Sequence, residues 1–206
     1  MVTHLSFLSS FVAVYHPHTT DGIIISRSPV GEASVWCWIL TRELGLIGAH
    51  AQGTRNLSSK LRPHVQTLTY GSFSFVRGKQ AWKLVGARKY INLYTLNPDI
   101  APLFSRILSL AKILIAGEEY HPEVFDILEQ ACMYVKENTL EKYHYGSLER
   151  LMVLRMLYQL GYIGEGALRD SYGTGTVITR EYLEETYTYR DDLITLINAS
   201  LKETQF

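Results

Sequence analysis

The groups that could do covalent chemistry in this 206-residue sequence are few and poorly spaced for it. Cys37 lies in an apolar strand-like run and Cys132 on an apolar helical face, which suits buried hydrophobes better than nucleophiles. Two cysteines make neither a disulfide framework nor a four-thiolate zinc site, and they fit a reducing compartment. His16 and His18 could share one side of a strand, but no third ligand stands nearby, so a loosely held terminal segment is the simpler reading. Gly173-Thr174-Gly175-Thr176 is a lone glycine pair that suits a loop, and Glu184-Glu185 and Asp191-Asp192 read as solvated helix positions. There is no phosphate-binding glycine loop, nucleophile elbow or His-Glu-x-x-His signature. The sequence therefore predicts no enzyme: no catalytic residue, no metal ligand set and no cofactor.

The chemistry that remains is electrostatic. Residues 1–92 hold ten Lys and Arg against three acids, and residues 93–206 hold ten against seventeen, so a net charge of zero hides halves of +7 and −7. Between Glu43 and Asp99 no acid occurs while eight basic residues do. Such separation points to two modules, the basic one facing a polyanion. Its candidate phosphate contacts are Arg27, Arg55, Lys60, Arg62, Arg77, Lys79, Lys83 and Arg88. Arg42 is a weaker candidate because Glu43 beside it can neutralise it. Trp36, Trp38, Tyr70, Phe73, Phe75 and Trp82 are interleaved with these cations. Aromatic rings are platforms for unpaired bases, although a core position is the commoner fate of any one of them.

These side chains need a scaffold, and the patterning of residues 19–94 supplies strands. Gly22–Arg27 carries three consecutive isoleucines, and Ser34–Thr41 is apolar on both faces. After a turn at Arg42-Glu43-Leu44-Gly45, Leu46–Gln52 forms a third strand. In Gln66–Val76 the large apolar residues fall at even positions (Leu68, Tyr70) before Gly71 and at odd ones (Phe73, Phe75) after it, which a bulge or sharp bend produces. Arg77-Gly78-Lys79 turns the chain into Gln80–Ala87. Five strands, one bent at a glycine, with a short polar link at Ser58–Pro63, fit a small closed barrel of the OB type.

From residue 95 the period changes to 3.6. Asn97-Pro98 is read as a helix N-cap with proline after it, and an apolar face from Ile100 runs until Gly117. Pro122 opens a second helix and Ser147 a third, apolar almost all round and therefore the centre of a bundle. Thr179–Tyr187 and Arg190–Lys202 complete it. The fold class is α+β, multi-domain: an N-terminal five-stranded OB-type β-barrel followed by an α-helical bundle. Residues 1–18 are read as a loosely held extension or an added strand rather than a secretory leader, since no Lys or Arg precedes Arg27. No apolar run reaches the length of about 18 residues that crosses a bilayer, so no membrane partner is expected.

The order Asp21–Arg27, Gly31-Glu32, Leu40-Thr41-Arg42-Glu43-Leu44-Gly45-Leu46-Ile47, Ala51-Gln52-Gly53-Thr54-Arg55 and Ser58-Ser59-Lys60-Leu61-Arg62-Pro63 resembles the amino-terminal domain of the RecO recombination mediators. The helix ending Leu157-Tyr158-Gln159-Leu160-Gly161-Tyr162 resembles that family's helical domain. The resemblance covers residues 20–162 and implies a bacterial, cytoplasmic, nucleoid-associated protein that binds single- and double-stranded DNA and anneals complementary strands. It also implies a RecR-like partner and recognition of the acidic-hydrophobic tail of single-stranded-DNA-binding protein during recombinase loading. Many relatives carry a four-cysteine zinc element, and this chain has no Cys-x-x-Cys pair, so zinc is not expected. Residues 163–206 follow no family motif. For the tail carboxylate, Arg150 and Arg155 are the candidates because they interrupt the apolar third helix; pairing with glutamates such as Glu149 is the equal alternative. Two other functions stay open: an adaptor whose barrel docks acidic protein segments, and an RNA-binding OB module.

Overall fold

The structure is a computed structural model that describes residues 16–115, 117–164, 172 and 175–203. Most of the proposed extension, and Gly173-Thr174, lie outside the described residues, while His18 already belongs to the first strand. The strands are β1 (His18–Val30), β2 (Ser34–Thr41), β3 (Gly45–Ala51), β4 (Thr69–Arg77) and β5 (Trp82–Asn92). They form a closed barrel in the order β1-β2-β3-β5-β4, every pair antiparallel except β3 with β5. That parallel closure rests on Ala49↔Trp82 and His50↔Lys83. The order is that of the OB fold.

Alternation along each strand divides the apolar residues between two cores. Ile24, Val35, Cys37, Ile39, Ile47, Ala49, Phe73, Phe75 and Leu84 fill the barrel. Ile23, Ile25, Leu40, Leu46, Leu68 and Tyr70 point outward and join the core of the helices. The three consecutive isoleucines are thus all buried, with one inside the barrel and two outside it. The irregularity expected at Gly71 falls on the partner strand: the β4–β5 register shifts between Tyr70 and Gly71 because β5 carries the extra residue Tyr90. Strand β4 stays in continuous register with β1, so Tyr70 faces the outer core and Phe73 the inner one by ordinary alternation. A Cβ on Gly71 would stand 2.4 Å from the Arg88 carbonyl oxygen, so only glycine permits this approach.

Six helices follow among the described residues: α1 (Leu93–Leu96), α2 (Ala101–Leu114), α3 (Pro122–Glu137), α4 (Lys142–Gln159), α5 (Arg180–Thr188) and α6 (Arg190–Glu203). Asn97 does not cap the first long helix. It ends α1, and its side chain accepts the Asp99 N–H at 3.0 Å. This local turn delays α2 to Ala101, where Pro102 occupies the first turn. The α4 helix starts five residues before Ser147, and its Leu148, Leu151, Met152, Leu154, Met156 and Leu157 are wholly buried, as a central helix requires.

The outer barrel wall and the helices share one apolar cluster. Polar ties run beside it. Arg42 pairs with Asp126 and Glu129 of α3, and the Tyr70 hydroxyl donates to Glu129. Glu43, the residue expected to neutralise Arg42, instead pairs with His18 at 2.9 Å. The loop after α2 is pinned to the β2–β3 turn: Leu46 N–H donates to the Gly117 carbonyl at 3.1 Å, and a Cβ on Gly45 would lie 2.1 Å from the Glu119 carbonyl oxygen.

Candidate nucleic-acid interface

The inward turn of Val35, Cys37 and Ile39 forces Trp36 and Trp38 onto the outer face of β2. Trp36 stands opposite His50 and Trp38 opposite Gly48. A Cβ on Gly48 would lie 2.3 Å from the Trp36 ring, so the bare glycine is what lets the indole lie down across β3. Trp82 opens β5 on the neighbouring side, beside Ala49. The chain's three tryptophans therefore meet on one surface, each half-buried.

Between them runs a groove of about 730 Å³ lined by Trp36, His50, Arg77, Lys79, Trp82 and Lys83, among others. A hollow of about 270 Å³ shares Trp36, Arg77 and Trp82 and continues to Trp38 and Glu118. Arg77 stacks over the Trp82 ring at 4.8 Å, and Lys112 of α2 stands 4.7 Å from the centre of the Trp38 ring. The Glu118 carboxylate closes one end, accepting from Arg77 and from the Trp82 indole N–H. The arrangement offers flat faces, cationic groups and an N–H donor, with no hydroxyl or thiol side chain among its lining residues. The nearest thiol, Cys37, points into the barrel, where burial pushes its pKa up to about 11.

The eight cations proposed from sequence do not form one track. Arg77, Lys79 and Lys83 come together in the groove. Arg55, at the head of the long β3–β4 connection, donates to the Gly31 carbonyl at 3.0 Å, next in sequence to the groove residue Val30. Lys60 and Arg62 are exposed on that same connection. Arg27 is half-buried and already engaged, its guanidinium donating to the Val65 carbonyl (2.9 Å) and the Gln66 side chain, so it fastens the connection to β1. Arg88 is exposed six residues beyond Trp82, about 20 Å at the usual rise of a strand, and stacks on Tyr90. Of the six aromatics, Tyr70, Phe73 and Phe75 are buried core residues. The three tryptophans are half-buried, Trp38 resting on the outer core and Trp82 on the barrel core beside Phe75, with their remaining surface in the groove and hollow.

The two helical arginines also part company. Arg155 has no exposed surface and donates to the carbonyls of Tyr172 (3.3 Å), Thr176 (3.1 Å) and Val177 (2.8 Å), with burial pushing its pKa down to about 10. It holds the chain after α4 and offers nothing to a partner at the surface. Arg150 is half-buried near Arg190, and burial and that neighbour lower its pKa. Glu149, proposed as their counterion, is taken by Arg106 in a two-point contact at 2.6 Å. Three contributors were missed in the sequence: His50, Gly48 and Glu118. A glycine inside a strand signals close approach, so Gly48 had a local signal; Glu118 had none, because it reaches the groove from 36 residues beyond Trp82.

A closed barrel in this strand order, with an aromatic and basic groove on its face and helices behind it, defines an OB-fold protein. The family described as "Recombination protein O N terminal" matches residues 16–89. The chain is 26% identical over 151 residues to a protein of Dehalococcoides mccartyi, 30% over 147 to one of Clostridium perfringens and 24% over 163 to one of Bacillus cereus, each named "DNA repair protein RecO". These alignments cover 71%, 69% and 78% of this chain and 57%, 58% and 62% of those relatives. Residues 16–89 are thus a RecO-family amino-terminal domain, and the similarity to RecO proteins runs on into the helices, the chain spanning about three fifths of those relatives' length. No helix among the described residues is long and apolar enough to cross a membrane.

Proposed function

We propose that this chain is a non-enzymatic mediator of DNA repair and recombination whose barrel groove takes single-stranded DNA. The observation that carries the reading is the convergence of Trp36, Trp38 and Trp82 with Arg77, Lys79 and Lys83 on one surface. Stacking an unpaired base on such a ring contributes about 1–3 kcal/mol, and the cations neutralise the phosphates between bases. Lys60 and Arg62, on the separate connection, suit the backbone of a second strand or a duplex. Two strands held with their charge neutralised repel less and can anneal without bond chemistry.

In this reading the acidic helical module docks partner proteins, a RecR-like subunit and the acidic-hydrophobic tail of single-stranded-DNA-binding protein, so that recombinase can load. Arg150 and Arg190, the latter stacked on Tyr187 at 5.4 Å and held only loosely by the exposed Asp191 at 3.7 Å, are the basic and aromatic groups we assign to a tail carboxylate. A nucleoid-associated place in the cell follows from the same reading.

One observation favours a second reading. Arg77 already holds a carboxylate, as it would if the barrel docked acidic protein segments. Polarisation binding of fluorescent single-stranded DNA, matched RNA and an acidic tail peptide across a salt series separates these. With about three phosphate contacts in the groove, log K for single-stranded DNA against log salt should slope near −2. A slope near zero with tight peptide binding to the barrel would replace the DNA reading by the adaptor, and stronger binding of RNA would replace it by an RNA-binding module.

A further inference from the structure

The acid-free stretch from Glu43 to Asp99 contains Arg77, yet Arg77 has a carboxylate partner. Glu118 supplies it from the loop between α2 and α3. Two donors converge on one oxygen: Arg77 Nη1 lies 2.8 Å from Glu118 Oε1, and the Trp82 indole nitrogen lies 3.2 Å from the same atom. The second oxygen is 3.1 Å from Arg77 Nη1. A guanidinium and an indole N–H aimed at one oxyanion make an anion site, and the site stands where the groove and the adjoining hollow meet.

We propose that this site receives one backbone phosphate of bound nucleic acid, and that Glu118 fills it in the free protein and leaves when the strand binds. The inference rests on the nucleic-acid reading of the groove and adds its internal competitor. The loop backbone is fixed on both sides of Glu118, through the Gly117 carbonyl on Leu46 and the Glu119 backbone against Gly45. Only the glutamate side chain has to swing. Both partners are about half exposed, 56% for Arg77 and 53% for Glu118, so the pair is screened and weak enough to exchange. Among the described residues, Lys79 and Lys83 in the same groove have no such carboxylate, so a strand meets two open cations and one occupied one. The occupied position sets a threshold: isolated anions find it filled, and a strand already held by its stacked bases and the two lysines displaces the glutamate.

The test is Glu118→Gln in the full chain, with Glu119→Gln as a control that makes the same charge change one residue away. Glu119 contacts His121 and not the groove. Glu118→Gln should tighten single-stranded DNA binding about five- to tenfold at low salt and steepen the slope of log K against log salt by about 0.7, one phosphate contact. Glu119→Gln should change affinity less than twofold. The gain should vanish on an Arg77→Ala background. Equal effects of the two glutamine variants, or a gain that survives without Arg77, would overturn the competitor while leaving the groove reading intact. If neither wild type nor Glu118→Gln binds DNA, the groove reading falls and the phosphate site falls with it.

Discussion

Trp36 lies across Gly48 of the neighbouring strand, its ring filling the space a side chain would need at 2.3 Å. A groove ring held this way is set by its neighbour's missing atom. Gly48→Ala should push the indole off β3, weaken single-stranded DNA binding about three- to tenfold and cost about 1–2 kcal/mol of stability. Polarisation titration beside a denaturant melt separates the two effects; unchanged affinity would mean that Trp36 is not a stacking platform.

The groove and the β3–β4 connection should behave as distinct surfaces. Lys79→Ala with Lys83→Ala should lower affinity for single strands and reduce the salt slope by about 1.4, two contacts at the single-strand value. Lys60→Ala with Arg62→Ala should spare short single strands and impair duplex binding and annealing. Annealing assays with both double variants, checked for native circular dichroism, would decide the division of labour.

Arg155 should be a stability residue. Arg155→Ala leaves three carbonyls without their donor and should cost about 3 kcal/mol, a fall of about 6–12 °C in Tm for a chain of this size. Arg150→Ala should leave Tm nearly unchanged and weaken any tail peptide bound at Arg190. A thermally robust Arg155→Ala protein would contradict the burial argument.

Cys37 and Cys132 should resist thiol reagents at pH 7.5 in the native protein and both react in denaturant. Burial raises the folded-state pKa of Cys37 from 9.0 to about 11. Its contribution is therefore fully present below pH 9 and is lost as pH rises through about 11, because the unfolded chain gives up the thiol proton first. Denaturant melts at pH 8 and pH 10 should show wild type losing more stability over that interval than Cys37→Ala.

Purified protein should hold no stoichiometric zinc, and chelators should not shift its Tm. Among the described residues no group of three or more His, Cys, Asp or Glu could hold a metal ion. Elemental analysis finding one tightly held zinc per chain would refute this.

Much of the scaffold was legible because it is written in local periods. Apolar, β-branched runs marked β1 and β2. The even-to-odd switch around Gly71 marked where the apolar residues of β4 change from the outer core to the inner one, beside a register shift whose extra residue, Tyr90, lies in β5. The 3.6 period marked the long helices and singled out α4 as central. The helix start at Asn97 misled because asparagine caps and asparagine turns share the same local chemistry. The candidate site was half legible. Charge counting found the basic module but not which cations were free, since Arg27 spends its guanidinium on Val65 and Gln66 and Arg77 meets a residue 41 positions away. Composition could not separate Trp36 from Phe73; only strand phase around the barrel did.

The barrel's parallel seam carries a last consequence. Ala49↔Trp82 and His50↔Lys83 are the entire register joining β3 to β5, against seven or more pairs at the joins of β1 with β2, β2 with β3 and β4 with β5. A closed sheet parts first where the fewest backbone bonds cross, so this line should open by local fluctuation well below global unfolding. The groove lies on the same line, with Trp36 and His50 on one bank and Trp82 and Lys83 on the other. A strand spanning both banks would act as a splint, and the amides of residues 49–51 and 82–84 should exchange hydrogen more slowly with it in place. The hoop would then gain rigidity from its cargo.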